Sequence, residues 1–179
     1  SDVVKSNVKD LTFEPVKRVV LEEMTGTTCP NCPQGILAIE YLEKLFGDRF
    51  IPVSLHTYTG DPYSSSSLET YTQSLGLNAA PTGMIQRNGY ICAPMENTSG
   101  NSYVFSNEAD LWLDFVSAEM DVPSYIGVSV PKATLDEETN KIKMDIEIQS
   151  ALNMKGQYLN VFPVALEDGL NNSQDNNLY

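Results

Sequence analysis

The sequence predicts a mixed α/β domain, a βαβ unit followed by a ββα unit around one sheet, and then a small all-β, sandwich-like domain. Strand-like and helix-like patterns alternate as far as residue 120. Strict alternation of apolar and polar residues begins after residue 125, and Pro123 lies in the short segment between the two regions. We therefore place the first domain at 1–122, with its core at about 16–120, and the second at 123–179.

The first βαβ unit is predicted from three consecutive segments. The apolar segment "VKRVVLEEM" (16–24) indicates a buried strand. "PQGILAIEYLEKLFG" (33–47) has the apolar spacing of a helix and ends at Gly47, a residue type common just beyond a helix C-terminus. "RFIPVSLHTY" (49–58) alternates as a second strand. Pro52 cannot donate to a ladder, which predicts either an edge position or an irregular start of this strand.

The second half of this domain consists of two helices and a hairpin. Residues 107–120 have the apolar spacing of a helix. Residues 66–76 are predicted to be a helix from a capping-box pattern at their start and from Gly76 at their end. Residues 81–93 predict two short strands around Asn88-Gly89, a strong local hairpin signal.

The region after Pro123 is predicted to be all β. Residues 126–130 and 141–149 alternate strictly, and 158–168 indicates a third strand. Three strands leave an apolar face uncovered, which could pack on the first domain or pair with another chain. We expect instead that this domain is incomplete and that the natural chain continues past Tyr179. The polar end "NNSQDNNLY" (171–179) predicts disorder.

Charge and hydropathy argue against several partners. The formal net charge is −13 over 179 residues, which repels nucleic-acid phosphates and anionic lipid headgroups. No stretch approaches the roughly 18 apolar residues of a membrane-spanning helix. The chain begins at Ser1 without a basic-then-apolar leader, which is typical of a processed chain.

The segment "TGTTCPNCPQG" (25–35) holds two of the three cysteines, Cys29 and Cys32. We expect Cys29 at the N-cap of the following helix, where free backbone N–H groups and the helix dipole favour a thiolate. Cys32 then lies one turn into the helix, more shielded and within disulfide reach. This arrangement predicts that Cys29 attacks a partner and that Cys32 resolves the mixed disulfide.

Other uses of the cysteines stay open. The pair could be a purely structural disulfide. A metal site, including one for copper transport, would need Cys29, Cys32, Cys92 and the single histidine, His56. The last two lack any compact ligand spacing, so we predict no metal and no cofactor. Cys92 is expected to be a buried, inert thiol.

The motifs around this pair resemble the thioredoxin superfamily. Glu23 stands six positions before Cys29, and "GLNAAPT" (76–82) precedes the hairpin. The resemblance implies a thioredoxin-like fold, a buried Glu23 that assists proton transfer, and a cis peptide bond at Pro81. It also implies a substrate groove lined by Ala80, Pro81, Thr82, Pro30 and Asn31. Because Glu22 is adjacent, strand register decides which carboxylate lies inside the domain.

A closer resemblance is to the outer-membrane-protein-28-related lipoproteins of Bacteroidetes. It is carried by "EEMTGTTCPNCPQG", "VSLHTY", "DPYS" and "PTGMI". It implies a protein that is secreted to the periplasm or cell envelope and whose chain is longer than this one. A lipid anchor in the outer membrane is the further expectation from this resemblance.

Two functions follow as hypotheses. The first is a thiol–disulfide oxidoreductase that acts on protein or small-molecule thiols and disulfides. The second is a non-catalytic binding or assembly protein of the cell envelope, whose β domain engages a partner. The spacer residues depart from the superfamily's Gly-Pro and Pro-His pairs, and Asn31 supplies no cation to stabilise a Cys29 thiolate.

Overall fold

The computed structural model describes residues 15–94 and 110–175. The chain divides into two compact units. One contains Arg18–Val122 together with the segment that begins at Pro163, and the other contains Pro123–Phe162 and the residues before Arg18.

The first unit is built on a four-stranded mixed sheet. Its strands are β1 (Val19–Thr25), β2 (Phe50–His56), β3 (Thr82–Ile85) and β4 (Ile91–Cys92), in the order β2-β1-β3-β4. β1 is parallel to β2 and antiparallel to β3, and β3 is antiparallel to β4. The predicted edge position of the proline-containing strand and the predicted hairpin are confirmed.

Within residues 15–94 and 110–175, three helices pack on this sheet. They are α1 (Pro33–Phe46), α2 (Ser66–Ser74) and α3 (Leu111–Met120), and a short 3-10 turn (Gly47–Arg49) follows α1. The predicted end of α1 at Gly47 is confirmed, and this glycine has a φ of +53°. Asp110 caps α3 by accepting a hydrogen bond from the Leu113 N–H. The first three residues predicted for this helix, 107–109, lie outside the described residues.

The two faces of β1 bury different residues, because successive side chains of a strand point to opposite faces. Val19 and Leu21 belong to a core cluster with Trp112 of α3 and Leu42 of α1. Val20 and Met24 pack with a second cluster that includes residues of α2. The unit is therefore a three-layer α/β/α sandwich, consistent with a thioredoxin-like α/β domain.

The second unit contains one antiparallel hairpin among its described residues, β5 (Ile126–Asp136) and β6 (Lys141–Ser150). A sandwich was expected, and the predicted third strand at 158–168 was wrong because these residues are irregular. A strand needs a partner edge for its hydrogen bonds, and no ladder in the described part of the chain reaches them.

Among the described residues, no helix has the length and apolar content that crossing a membrane requires.

Candidate active site

The two cysteines lie in a loop between β1 and α1, and we call residues 25–32 the CxxC loop. Cys29 and Cys32 form a disulfide with a Cα–Cα distance of 5.4 Å, which confirms that they are within disulfide reach. The Cys29 N–H donates to the Gly26 carbonyl at 3.1 Å, and the Cys32 N–H donates to the Cys29 carbonyl at 3.2 Å. These two bonds fold the loop into consecutive turns.

The predicted N-cap at Cys29 was wrong. The helix begins at Pro33, and Cys32 is its N-cap. Both prolines of the motif suit the first helical position, but the i→i−4 ladder starts only where the Ile36 N–H donates to the Cys32 carbonyl. The free amides at the start of α1 therefore lie closer to Cys32 in the chain than to Cys29.

Both sulfur-bearing side chains are enclosed in the disulfide form. Cys29 is 1% exposed and Cys32 is 0% exposed, so the predicted difference in shielding is not present in this state. The spacer residues Pro30 and Asn31 are half-buried. A partner that reaches this site therefore meets the spacer residues more readily than Cys29 itself.

Glu23 lies in the interior, beneath the first turn of α1. Its side chain is 1% exposed, and its Oε2 accepts a long hydrogen bond of 3.4 Å from the Ser54 hydroxyl of the neighbouring strand. Its Oε1 has no partner among the described residues. A Cβ added to Gly35 would lie 2.0 Å from this oxygen, so the glycine is what allows the helix to pass over the carboxyl group.

Burial changes the acidity of this carboxyl group. Removal from water raises the pKa of Glu23 from 4.5 to about 8, and the Ser54 hydroxyl offsets the rise only in part. Near neutral pH the group is therefore able both to hold and to release a proton.

Glu22 lies on the opposite face of the sheet and has a different environment. It is bound by the Arg87 guanidinium at 2.7 and 2.8 Å, and the Tyr71 hydroxyl donates to it. Burial alone would raise the pKa of Glu22, but the hydrogen bonds from Arg87 and Tyr71 and the charge of Arg87 lower it overall. The register of β1 therefore leaves Glu23 as the carboxyl group on the α1 side.

The close approach of Gly35 to Glu23 gives a testable prediction. Gly35→Ala should lower the free energy of unfolding by about 1–3 kcal/mol, because the new methyl overlaps a buried, confined carboxyl group. The better helix propensity of alanine recovers only part of this loss. Urea unfolding at pH 5, with the disulfide intact, measures the effect.

A double-mutant cycle supplies the control for this prediction. The Glu23→Ala/Gly35→Ala variant should lose less stability than the sum of the two single variants, since truncation of Glu23 makes room for the methyl group. Strictly additive losses would contradict the proposed overlap.

Asp61 holds the CxxC loop from a neighbouring loop, and the sequence analysis missed this residue. Its carboxylate accepts hydrogen bonds from the Thr27 N–H at 2.5 Å and the Tyr63 N–H at 2.8 Å, and it lies 3.1 Å from His56 Nδ1. Burial would raise the pKa of Asp61, but these bonds lower it overall. The local signals were the turn-forming "GDP" at 60–62 and the motif "DPYS", and neither indicated a contact with the CxxC loop.

Gly26 shows how closely the two loops approach. A Cβ at this position would lie 2.5 Å from Tyr58 Cβ and 2.8 Å from Asp61 Oδ2. The Thr28 hydroxyl also donates to the Thr59 carbonyl at 3.0 Å. The residues before Cys29 are therefore held against the loop that follows β2.

The loop before β3 ends at the edge of the sheet where β1 leads into the CxxC loop. Thr82 pairs with Met24, next to the end of β1, so Ala80 and Pro81 lie near the start of the CxxC loop. The peptide bond between Ala80 and Pro81 is cis, as predicted. All three residues of "APT" are half-buried and so are partly accessible.

The residues of the alternative metal site are not brought together. His56 lies beside Asp61, whereas Cys92 of β4 pairs with Gly83 of β3. Within residues 15–94 and 110–175, no group of three or more His, Cys, Asp or Glu side chains could hold a metal ion. Cys92 is a free thiol, 6% exposed, and burial raises its pKa to about 11.

No protein-family profile matches the chain, and no curated protein matches it. Among solved structures, the chain is similar to HBP35 of Porphyromonas gingivalis, with a TM-score of 0.45 and 24% sequence identity. The match covers 67% of this chain and 38% of that chain, so this chain spans much less than two thirds of HBP35. Similarity at this level carries no information about chemistry, which depends on this chain's own residues.

Proposed function

We propose that the first unit is a thiol–disulfide oxidoreductase. The observation that carries this proposal is the Cys29–Cys32 disulfide at a strand-to-helix junction, with the buried carboxyl group of Glu23 beneath the same helix turn. A purely structural disulfide has no need of a buried carboxyl group beneath the helix that follows it, and burying such a group costs stability.

The reaction is an exchange of two electrons. In the reduced chain, the Cys29 thiolate attacks one sulfur of a partner disulfide, and the first partner thiolate leaves. The Cys32 thiolate then attacks Cys29 in the mixed disulfide, and the second partner thiolate leaves. The chain's dithiol is oxidised, the partner's disulfide is reduced, and each departing thiolate takes up one proton. The reverse sequence oxidises a partner dithiol.

Glu23 is positioned to assist the second step. Gly35, which passes over its Oε1, lies three residues after Cys32, on the same side of the first turn of α1. With a pKa of about 8, the carboxylate accepts the Cys32 proton as this thiol becomes a nucleophile, and the acid returns it in the reverse direction.

The partners we propose are protein or small-molecule thiols and disulfides. Pro30 and Asn31 of the CxxC loop and the Ala80, Pro81 and Thr82 segment form the surface that such a partner meets. The resemblance of the sequence motifs to envelope lipoproteins supports an extracytoplasmic location.

The reduction potential of the Cys29–Cys32 pair tests this function. We expect a value between about −270 and −120 mV, the range of catalytic dithiols. Equilibration against glutathione or dithiothreitol buffers, followed by thiol titration, measures it. A potential far below about −300 mV would identify a structural disulfide instead.

A second candidate function, non-catalytic binding of a partner in the cell envelope, is favoured by the β5–β6 hairpin. Val128 pairs with Ile148, and Leu135 pairs with Ile142, so these four exposed apolar side chains lie on one face of β5–β6. An exposed apolar face of this kind is typical of a binding surface. Negligible disulfide reductase activity in a chain that still binds envelope components after Cys29→Ser would support this function over the first.

A further inference from the structure

The end of the described chain returns to the CxxC loop. The Asp175 N–H donates to the Thr27 carbonyl at 2.7 Å. The Gln174 side-chain amide donates to the Cys29 carbonyl at 2.9 Å, to the Gly26 carbonyl at 3.2 Å, and to the carbonyl of Asp175 at 2.9 Å. Gln174 is half-buried, whereas the residues on either side of it are exposed.

Two prolines explain why these carbonyls accept a side-chain donor. In a continuous helix, the Gly26 carbonyl would accept from residue 30 and the Cys29 carbonyl from residue 33. Both positions are proline and have no N–H. Each carbonyl accepts one turn-forming bond, from Cys29 and Cys32 respectively, and keeps a second lone pair for another donor.

The arrangement of the Gly26 and Cys29 carbonyls matches one class of side chain. A primary carboxamide carries two N–H donors on one nitrogen without a charge, so it can serve both neighbouring carbonyls. The Asp175 carbonyl is a third acceptor of the Gln174 amide, so one of the two N–H groups is shared between two carbonyls. A carboxylate at the same place would face the carbonyl oxygens with no donor. The backbone N–H of the next residue adds a third contact to the loop, at Thr27.

We propose that the Gly26 and Cys29 carbonyls form a carboxamide-binding site, which Gln174 fills, so that residues 174–175 cover Cys29 and slow its exchange with partners. As a regulation of the redox site, this inference rests on the proposed function. It accounts for a predicted attacking cysteine that is 1% exposed while the spacer residues beside it are half-buried. Release of the segment opens the loop without any rearrangement of the sheet.

The test removes the two N–H groups of the Gln174 carboxamide and the backbone N–H of Asp175, in the full-length chain. Gln174→Ala removes the carboxamide, and Asp175→Pro removes the N–H that reaches Thr27. The control variant, Gln157→Ala with Asp168→Pro, makes the same two changes at exposed positions. The readout is the second-order rate of reduction of the Cys29–Cys32 disulfide by dithiothreitol, with circular dichroism to verify that each variant is folded.

We expect the Gln174→Ala/Asp175→Pro variant to react about five- to tenfold faster than the wild type, the size expected when a few hydrogen bonds that hold a closed state are lost. The control variant should react at the wild-type rate. Adding a synthetic peptide of residues 170–179 should slow the fast variant again, and the same peptide with Gln174→Ala should not. Equal rates in all three proteins would overturn the proposal.

Insulin reduction, followed in parallel, separates this proposal from the function on which it rests. If the variant reacts faster with dithiothreitol but no protein reduces insulin, residues 174–175 shield Cys29 and the proposed oxidoreductase activity is wrong. If wild type and variants reduce insulin at equal rates and also react equally with dithiothreitol, the oxidoreductase activity is supported and the shielding by residues 174–175 is wrong.

Discussion

Cys29→Ser is expected to lower insulin disulfide reduction by about three orders of magnitude or more, to the uncatalysed rate. A serine hydroxyl is not ionised near neutral pH, whereas a thiol is ionised in part, and only the ionised form attacks a disulfide. Turbidity of insulin in the presence of dithiothreitol measures the rate. Cys32→Ser should behave differently, because Cys29 still attacks and the mixed disulfide then persists.

Cys92→Ala is the matched control for these variants. Cys92 is buried in β4, and its raised pKa of about 11 keeps it a thiol near neutral pH. Loss of its sulfur should cost some stability and leave insulin reduction unchanged. Activity that persists in Cys29→Ser, or disappears in Cys92→Ala while the protein stays folded, would contradict the assignment of Cys29 as the nucleophile.

The second large effect concerns the dependence of stability on pH. Below pH 4.5 the Glu23 carboxyl group is protonated in both the folded and the unfolded chain, so it adds no pH dependence. Between pH 4.5 and about 8 the unfolded chain loses this proton and the folded chain keeps it. The free energy of unfolding should therefore fall by a few kcal/mol as the pH rises through this window, and then level off.

Glu23→Gln should remove this fall, since an amide does not titrate. Urea unfolding of the oxidised protein at intervals from pH 5 to 8.5 measures the slope for wild type and variant. Glu22→Gln is the control at the neighbouring position. The pKa of Glu22 is lowered overall, so its contribution is already fully present in this window. That variant should lose stability at every pH and keep the wild-type slope.

An identical slope in wild type and Glu23→Gln would contradict the buried, protonated state of Glu23. The comparison does not require the two proteins to be equally stable. A glutamine at this position has its own cost of burial, but that cost does not change with pH.

The features that the sequence predicted well depend on short stretches of chain. Asn88-Gly89 specifies a hairpin because glycine adopts a positive φ, and Gly89 has a φ of +82°. Pro52 predicted an edge strand because proline has no N–H for a ladder. The Cys-x-x-Cys spacing predicted disulfide reach because three residues of turn bring the two side chains together.

The features that the sequence did not predict depend on contacts between distant residues. The helix was expected to begin at Cys29, but two prolines both suited its first position, and hydrogen bonding placed the start at the second. Asp61 meets Thr27 across 34 positions of the chain. No periodic pattern in either segment encodes that contact.

Residues 171–175 and the candidate active site show the same difference between local patterns and contacts of distant residues. Composition predicted disorder for 171–179, of which 176–179 lie outside the described residues. Within 171–175, Gln174 donates to the Cys29 carbonyl, which lies 145 positions earlier. The strand–turn–helix, the cysteine pair and the hairpin could be predicted from the sequence, because covalent constraints and local periodicity specify them. The position of Glu23 rather than Glu22 beneath α1 could not be predicted, because both residues suit the strand equally. The packing of Trp112 and α1 against one face of β1 distinguishes them.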